Sequence, residues 1–406
     1  MNRFYILLIL MFNLFIFSCK QNSKHKIKSI RDVNSEEIKI DSKEKKPLVD
    51  FSQLVKELHV VKLETNSMSS LAEISKIQIY KGKIYVFDFQ FIKGVSVFDK
   101  TGKFLYRLRK VGKGPEDYIN LFDGQINLNG DIELLVNYGT KLNIYDSFGK
   151  FKRSIAFPFT AVKFSCLDNV RYFYSEFIER SKTREFGYRL HEMHGDGDEF
   201  FHYLKYESTK GKKQVNYVYN SRPFSNCGVN YLFNEALNNN IYEASESGLQ
   251  IKYKLNFVND NISKVDFMTS KKYLDKIGFA TKENLSSITS ISENGKIVFG
   301  FYQHPDSNSR YFKYFMYDKK KRRLIENGND ISFGNIKYPL QHFEFPLYTT
   351  HDGFAVSQID AVKLKSVLED KKLSTEDVRK IEQYFNIKTD SIRKGDNPIL
   401  LLYKFK

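Results

Sequence analysis

Apolar and polar positions alternate along most of this chain with the period of two that marks β-strands. The clearest stretch runs from Ile79 to Ala156 and reads as one unit written twice. The first copy has Gly82-Lys-Ile-Tyr-Val-Phe-Asp88 and then Val97-Phe-Asp99-Lys-Thr-Gly102-Lys-Phe104. The second has Gly130-Asp-Ile-Glu-Leu-Leu-Val136 and then Ile144-Tyr-Asp146-Ser-Phe-Gly149-Lys-Phe151. Equivalent residues lie 47–48 positions apart, the spacing of propeller blades. Each copy predicts an antiparallel sheet of about four strands.

The same signature, a Gly or Asn turn followed by alternating apolar residues, returns at Asn169, Asn240, Gly295 and Gly353. Six occurrences predict an all-β fold, a six-bladed β-propeller. Blades three to six would begin near Thr160, Phe224, Ser286 and Phe345. For Asn240, the segment Gly248 to Phe257 must supply the outer strand. Leu58–Leu63 has no hairpin partner of its own and is expected to complete the last blade beside Ile399–Phe405, so that no sheet edge is left open. A pair of packed β-sandwiches would also give an all-β chain, but not the repeat. Asp360 to Arg393 departs from β: Leu364, Val367, Leu368, Val378, Ile381 and Phe385 fall at helical spacing. Ser374 with Asp377 predicts an N-cap near a capping box, and Leu373 with Val378 a hydrophobic staple. This predicts a short helical insertion in the last blade. Ile262 to Glu283 also reads as partly helical.

The ends divide the chain. Residues 1–18 form a signal peptide: Arg3 precedes an apolar run from Phe4 to Phe17, too short to span a bilayer. It closes on Ile16-Phe-Ser-Cys19, which resembles a bacterial lipobox with Cys19 as the lipidated residue. Residues 19–47 are rich in Lys, Ser, Asn and Glu and read as a flexible tether, because they cannot bury enough apolar surface to fold alone. Residues 48–406 form the propeller.

These features together resemble the Bacteroidetes six-bladed β-propeller lipoproteins, relatives of NHL-type and TolB-like propellers. The resemblance rests on the lipobox, on Val111-Gly-Lys-Gly-Pro-Glu-Asp-Tyr118 after the first blade, and on the ending Asp396–Lys406 behind a Lys/Glu-rich helix. It covers essentially the whole mature chain and implies an outer-membrane lipid anchor with no established enzymatic activity. Lys20-Gln-Asn-Ser-Lys-His-Lys26 is basic, whereas acidic residues after the lipidated Cys are the family's surface-export cue. The periplasmic side is therefore expected.

The formal net charge of +16 is scattered among strands. In an exported protein this fits anionic glycans, lipid head groups or a negative partner rather than nucleic acid. Cys166 and Cys227 could pair in an oxidising compartment, but they fall in different blades, which favours two free buried thiols over a bridge. Arg109, Lys113, Glu116 and Asp117 are the candidate binding residues: exposed Gly N–H groups and two cations could meet an anion. The alternative for the same loop is a tight inter-blade turn capped by Glu116 or Asp117. His191-Glu-Met-His194-Gly-Asp196-Gly-Asp198-Glu199 looks metal-rich but reads as a strand and hairpin, which splays its ligands. Propellers can hold a calcium ion in the central channel, yet no ligand set stands out and no cofactor is expected. No Ser-His-Asp or Cys-His set can be assigned. The 26 Tyr and 36 Phe mostly fill the space between blades. The expectation is a monomeric binding or scaffold module for a glycan, peptide or envelope protein. The alternative is a propeller enzyme, a lyase or hydrolase, with a metal or an acid–base pair at the channel mouth.

Overall fold

The computed structural model describes residues 24–41, 50–175, 187–205 except 198, and 222–258 except 228, 236 and 237. It also describes 287–350 except 307, 308, 329, 334, 335 and 340–343, and 353–406 except 371, 372 and 394. Residues 1–18, expected as a signal peptide, Cys19 and the segment Ile262–Glu283 lie outside them.

In chain order, β1 (Lys24–Ile27) and β2 (Glu36–Ile40) precede a single-turn helix α1 (Phe51–Leu54) and β3 (Val55–Lys62). Blade I is β4 (Lys76–Tyr80), β5 (Lys83–Asp88), β6 (Gly94–Asp99) and β7 (Phe104–Leu108). Blade II is β8 (Leu121–Ile126), β9 (Ile132–Val136), β10 (Lys141–Tyr145) and β11 (Phe151–Ala156). Blade III holds β12 (Lys163–Cys166), β13 (Val170–Tyr174), β14 (Tyr188–His194) and β15 (Glu199–Lys205). Blade IV holds β16 (Phe224–Cys227), β17 (Asn230–Asn234), β18 (Asn240–Ser245) and β19 (Gly248–Phe257). Blade V is β20 (Ser287–Asn294), β21 (Ile297–Asp306), β22 (Ser309–Asp318) and β23 (Arg323–Gly328), followed by the hairpin β24 (Asp330–Phe333) and β25 (Ile336–Pro339). Blade VI is β26 (Glu344–Thr349), β27 (Ala355–Ile359), then β28 (Ile399–Phe405) and, outermost, β3. The first strand of each blade faces the axis, and blades I to VI touch in succession through these inner strands.

The fold is the six-bladed propeller expected, with blade starts where the repeat put them. The ring closes as expected too: β28 pairs antiparallel with β3, Ile399 opposite Lys62 and Tyr403 opposite Leu58. Buried Ile77, Ile84, Val356 and Leu400 then join blades I and VI in one apolar cluster.

The repeated aromatic-Asp pair has a local cause. In blades I, II and V a bulge falls just before the aromatic residue, at Phe98, Tyr145 and Tyr317. The Asp carboxylate then accepts hydrogen bonds from the turn that follows. Asp99 takes the N–H groups of Thr101 and Lys103, Asp146 those of Phe148 and Lys150, and Asp318 that of Lys321. Gly102 and Gly149 sit in these turns at φ +90° and +84°, which favours glycine.

The insertion between β27 and β28 forms α2 (Ala361–Leu368) and α3 (Thr375–Phe385). Ser374 caps α3 in a capping box with Asp377. Leu364, Leu368, Ile381 and Phe385 pack into one cluster with Phe299, Tyr314 and Met316 of blade V. Leu373 and Val378 lie against the same cluster. Cys166 and Cys227 are free and buried.

One expectation needs correction. Residues 24–41, placed in a flexible tether spanning 19–47, are built into the ring. β1 pairs in parallel with β15 and β2 in parallel with β19, so blades III and IV each carry a fifth, outermost strand. The composition argument holds only for a segment folding alone. Here the backbone hydrogen bonds come from two edges already formed, and only Ile38 and Ile40 need apolar partners. Both are fully buried, in a cluster with Leu255, Phe257 and Tyr317. Ion pairs fasten the polar positions: Lys26–Glu199, Lys28–Glu192 and Lys254–Asp32, each at 2.6 Å. The Tyr317 hydroxyl donates to Glu36 at 2.6 Å, which extends the belt to blade V.

Candidate functional site

Residues 109–120 run from the outer strand of blade I to the inner strand of blade II. Gly112 donates to the Tyr118 carbonyl, and Tyr118 in turn donates its N–H to Lys110. The Asp117 carboxylate accepts from the Gly114 N–H at 3.0 Å, so it caps the turn. A Cβ on Gly112 would fall 2.3 Å from that carboxylate, which is why glycine stands there. The Glu116 carbonyl accepts from the Tyr145 hydroxyl at 2.7 Å, and its carboxylate stands 3.7 Å from Lys110. Burial pushes the Tyr145 phenol far above its ordinary pKa, so it stays a donor at any working pH. The Arg109 guanidinium spends Nε on the Ile92 carbonyl and is otherwise exposed, and Lys113 is exposed at the tip. Of the four sequence candidates, Glu116 and Asp117 serve the loop's own architecture, while Arg109 and Lys113 present cations to solvent.

Two neighbouring loops share this surface. The Tyr118 hydroxyl donates to the Lys93 carbonyl, tying in the β5–β6 loop, and burial holds that phenol up at about 12. Ile119 and Tyr138 donate their N–H groups to Asn137 and Asn120, tying in the β9–β10 turn. Each of these loops carries a large side chain that packing does not cover. Phe91 is 67% exposed and Tyr138 63%. Asn137 and Tyr138 occupy the two central positions of the turn from Val136 to Gly139, at φ 52° and 61°. A type I′ turn wants Gly or Asn there, and a left-handed tyrosine costs about 1–2 kcal/mol. Sequence reasoning named neither ring. The Asn137-Tyr-Gly139 turn signal was present, but nothing in it said that Tyr138 would be left outside.

The central channel is tight. At the level of Lys76, Gln78, Gln125, Ser165, Ser225 and Thr350 its free volume is about 50 Å³, room for a water or two. Lys76 ion-pairs with buried Asp123 at 3.2 Å, and Gln125 bonds to both the Cys166 backbone and the Tyr231 hydroxyl. Among the described residues no three His, Cys, Asp or Glu side chains converge as metal ligands. His191 and His194 are splayed: His191 is buried beside His202, with ring nitrogens 2.8 Å apart, while His194 bonds to Glu192.

Buried charge sits instead at blade interfaces. Between II and III, Arg171 grips Glu133 with two hydrogen bonds, at 2.8 and 2.6 Å. Between III and IV, Glu192 receives Lys28, His194, Tyr172 and Tyr203. Burial alone would raise the Glu192 pKa, but hydrogen bonds from Lys28, Tyr203 and His194 hold it below the usual carboxylate value. Between IV and V, Glu293 receives Lys252, Lys319 and Tyr253, and burial is again outweighed, chiefly by Lys252. The Cys227 thiol lies 2.8 Å from Lys252, and burial drives it up to about 12.

A closed ring of six blades, narrow at its axis, with Phe91 and Tyr138 exposed beside Arg109 and Lys113 on loops at one end and Phe148 exposed on a turn at the other, belongs to the class of propeller-type modules. The chain is a member of the family described as Domain of unknown function (DUF4934), whose model matches residues 35–404. Its fold is similar to that of a Bacteroides fragilis protein assigned as exported, at 18% identity and TM-score 0.67, over 91% of this chain and 99% of that one. It is also similar to a member of the DUF4221 family from Bacteroides vulgatus, at 13% identity and TM-score 0.50, over 89% and 98% of the two chains. No curated protein matches the sequence.

Proposed function

We propose that this protein is a cell-envelope module, lipid-anchored through Cys19 on the periplasmic side of the outer membrane, that binds an acidic glycan at the end of blades I and II. The observation that carries the binding reading is the pairing of Phe91 and Tyr138 with Arg109 and Lys113 on the 109–120 loop and the two loops hydrogen-bonded to it. Exposed rings stack on sugar faces, and the cations meet uronate or sulfate groups. The lipobox at Ile16–Cys19 supports the location, as does the fold neighbour assigned as exported.

The test is calorimetric titration of the soluble domain with uronate-containing and neutral oligosaccharides of equal length. Saturable binding of the acidic series alone is expected, with Tyr138→Ala and Lys113→Ala each weakening it by about fivefold to tenfold. Wild-type protein that binds neither series would end the glycan reading. Binding that both variants retain would move the site elsewhere.

A further inference from the structure

The N-terminal belt changes what a lipid on Cys19 would do. With residues 19–47 free, 28 peptide links would separate lipid and domain, an r.m.s. span of roughly 30 Å with a far longer reach. The belt leaves only the links from Cys19 to Lys24, which span at most about 18 Å. A domain of this size is about 50 Å across. The leash is therefore much shorter than the body it holds.

Its point of attachment is specific. Lys24 lies opposite Glu199 at the start of β15, on the outer edge of blade III and next to the turn where Asp196 pairs with Arg153 of blade II. From there the belt runs along the rims of blades III and IV. It carries two large apolar side chains that nothing covers, Ile27 at 72% and Val33 at 63% exposure. Charged side chains of both signs surround them: Lys26 paired with Glu199, Arg31 beside Asp32, and on the neighbouring blade II edge Lys152 with Asp131 and Arg153 with Asp196. Uncovered apolar side chains set among charged heads suit the boundary between lipid head groups and acyl chains.

We infer that the blade III rim, with the belt along it, is the membrane-facing surface, so that the propeller is held against the lipid surface by one edge rather than floating on a tether. This rests on the lipid-anchor reading of Cys19. Blade VI, three blades around the ring, is then the part farthest from the bilayer.

The experiment uses the full chain, purified from membranes and reconstituted into vesicles of phosphatidylethanolamine and phosphatidylglycerol that carry a head-group quencher. One preparation bears a maleimide fluorophore at Asp196→Cys on the blade III rim. The other bears it at Glu57→Cys on the blade VI rim. Cys166 and Cys227 are buried and do not compete for the dye. Mass spectrometry first establishes whether Cys19 carries an acyl group. An unmodified Cys19 overturns the anchor reading and this inference with it. With Cys19 acylated and the protein on the vesicles, quenching at least about threefold stronger at position 196 than at 57 is expected from the leash length and the domain diameter. Equal quenching overturns the rim assignment alone. Lys26→Pro with Lys28→Pro strips β1 of the Lys28 N–H bond to His202 and of both ion pairs to blade III, and should abolish the contrast while acylation persists. A contrast that survives in a folded variant shows that the belt is not the leash. Should this variant fail to fold, the comparison of the two probes in the otherwise native chain still decides the assignment.

Discussion

Blades I and II end, among the described residues, at their fourth strands, whereas blades III and IV each carry a fifth strand borrowed from the N-terminal belt. The difference extends inward. Blade I and blade II meet through an apolar cluster of Phe87, Leu121, Ile126 and Leu134 and one ion pair beside the axis, Lys76–Asp123, and their hairpins are held by local Asp-capped turns. The interfaces beyond are threaded by buried carboxylates, Glu133, Glu192 and Glu293, each clamped by cations or phenols from another blade or from the belt. The first pair is specified by nearby sequence and is free to present loops. The second is specified by partners far along the chain, and its outer edges are occupied. Local specification leaves loops exposed; long-range specification locks the ring and its N-terminal belt.

The largest expected effect comes from the interface between the two regions. Arg171→Ala leaves the Glu133 carboxylate buried without its partner, a loss of about 3–5 kcal/mol by urea unfolding. A loss below about 1 kcal/mol would mean that water reaches Glu133. Next, Ile38→Ala removes a fully buried belt side chain and should cost about 2–4 kcal/mol. Hydrogen exchange should then quicken in β19 and leave β7 and β11 unchanged; a uniform increase would erase the distinction between the two regions.

Acid should separate the regions as well. Glu192, Glu243 and Glu293 all titrate below their ordinary value of 4.5 in the folded protein. The unfolded chain therefore takes up their protons first, and the stability they supply is present above pH 4.5 and lost as pH falls below it. Unfolding followed by exchange at pH 3 should begin in blades III to V. Loss that starts in blade I would contradict this. The smallest effect is of opposite sign. Tyr138→Gly relieves the left-handed strain and should raise stability by about 1 kcal/mol while weakening ligand binding. A destabilised Tyr138→Gly would show that the ring packs rather than waits.

The same division explains what could be seen in the amino-acid sequence. The blades written most alike, I and II, hold their geometry through residues a few positions apart, such as Asp99 with Thr101 and Lys103. The helical insertion showed itself through Ser374 and Asp377, again neighbours. The belt did not, because nothing local makes Glu36–Ile40 a strand. Its alternating Ile38 and Ile40 are too few to outweigh a polar composition, and its hydrogen-bonding partners lie more than 200 residues away. At the candidate site, Arg109 and Lys113 were legible from charge and the glycine-rich loop. Phe91 and Tyr138 were not, because whether an aromatic ring is covered depends on what the neighbouring blade offers.

The pairing of β3 with β28 has a consequence in time. Lys62 and Ile399 are partners 337 residues apart, so the last blade cannot form until nearly the whole chain is present. A contact of such long range is slow to form. During synthesis and passage across a membrane the earlier blades can assemble one by one, but the ring stays open and its first blade keeps an unsealed flank. Closure is then a late, single event, and the step at which a chain of this design is most exposed to mispairing with another copy.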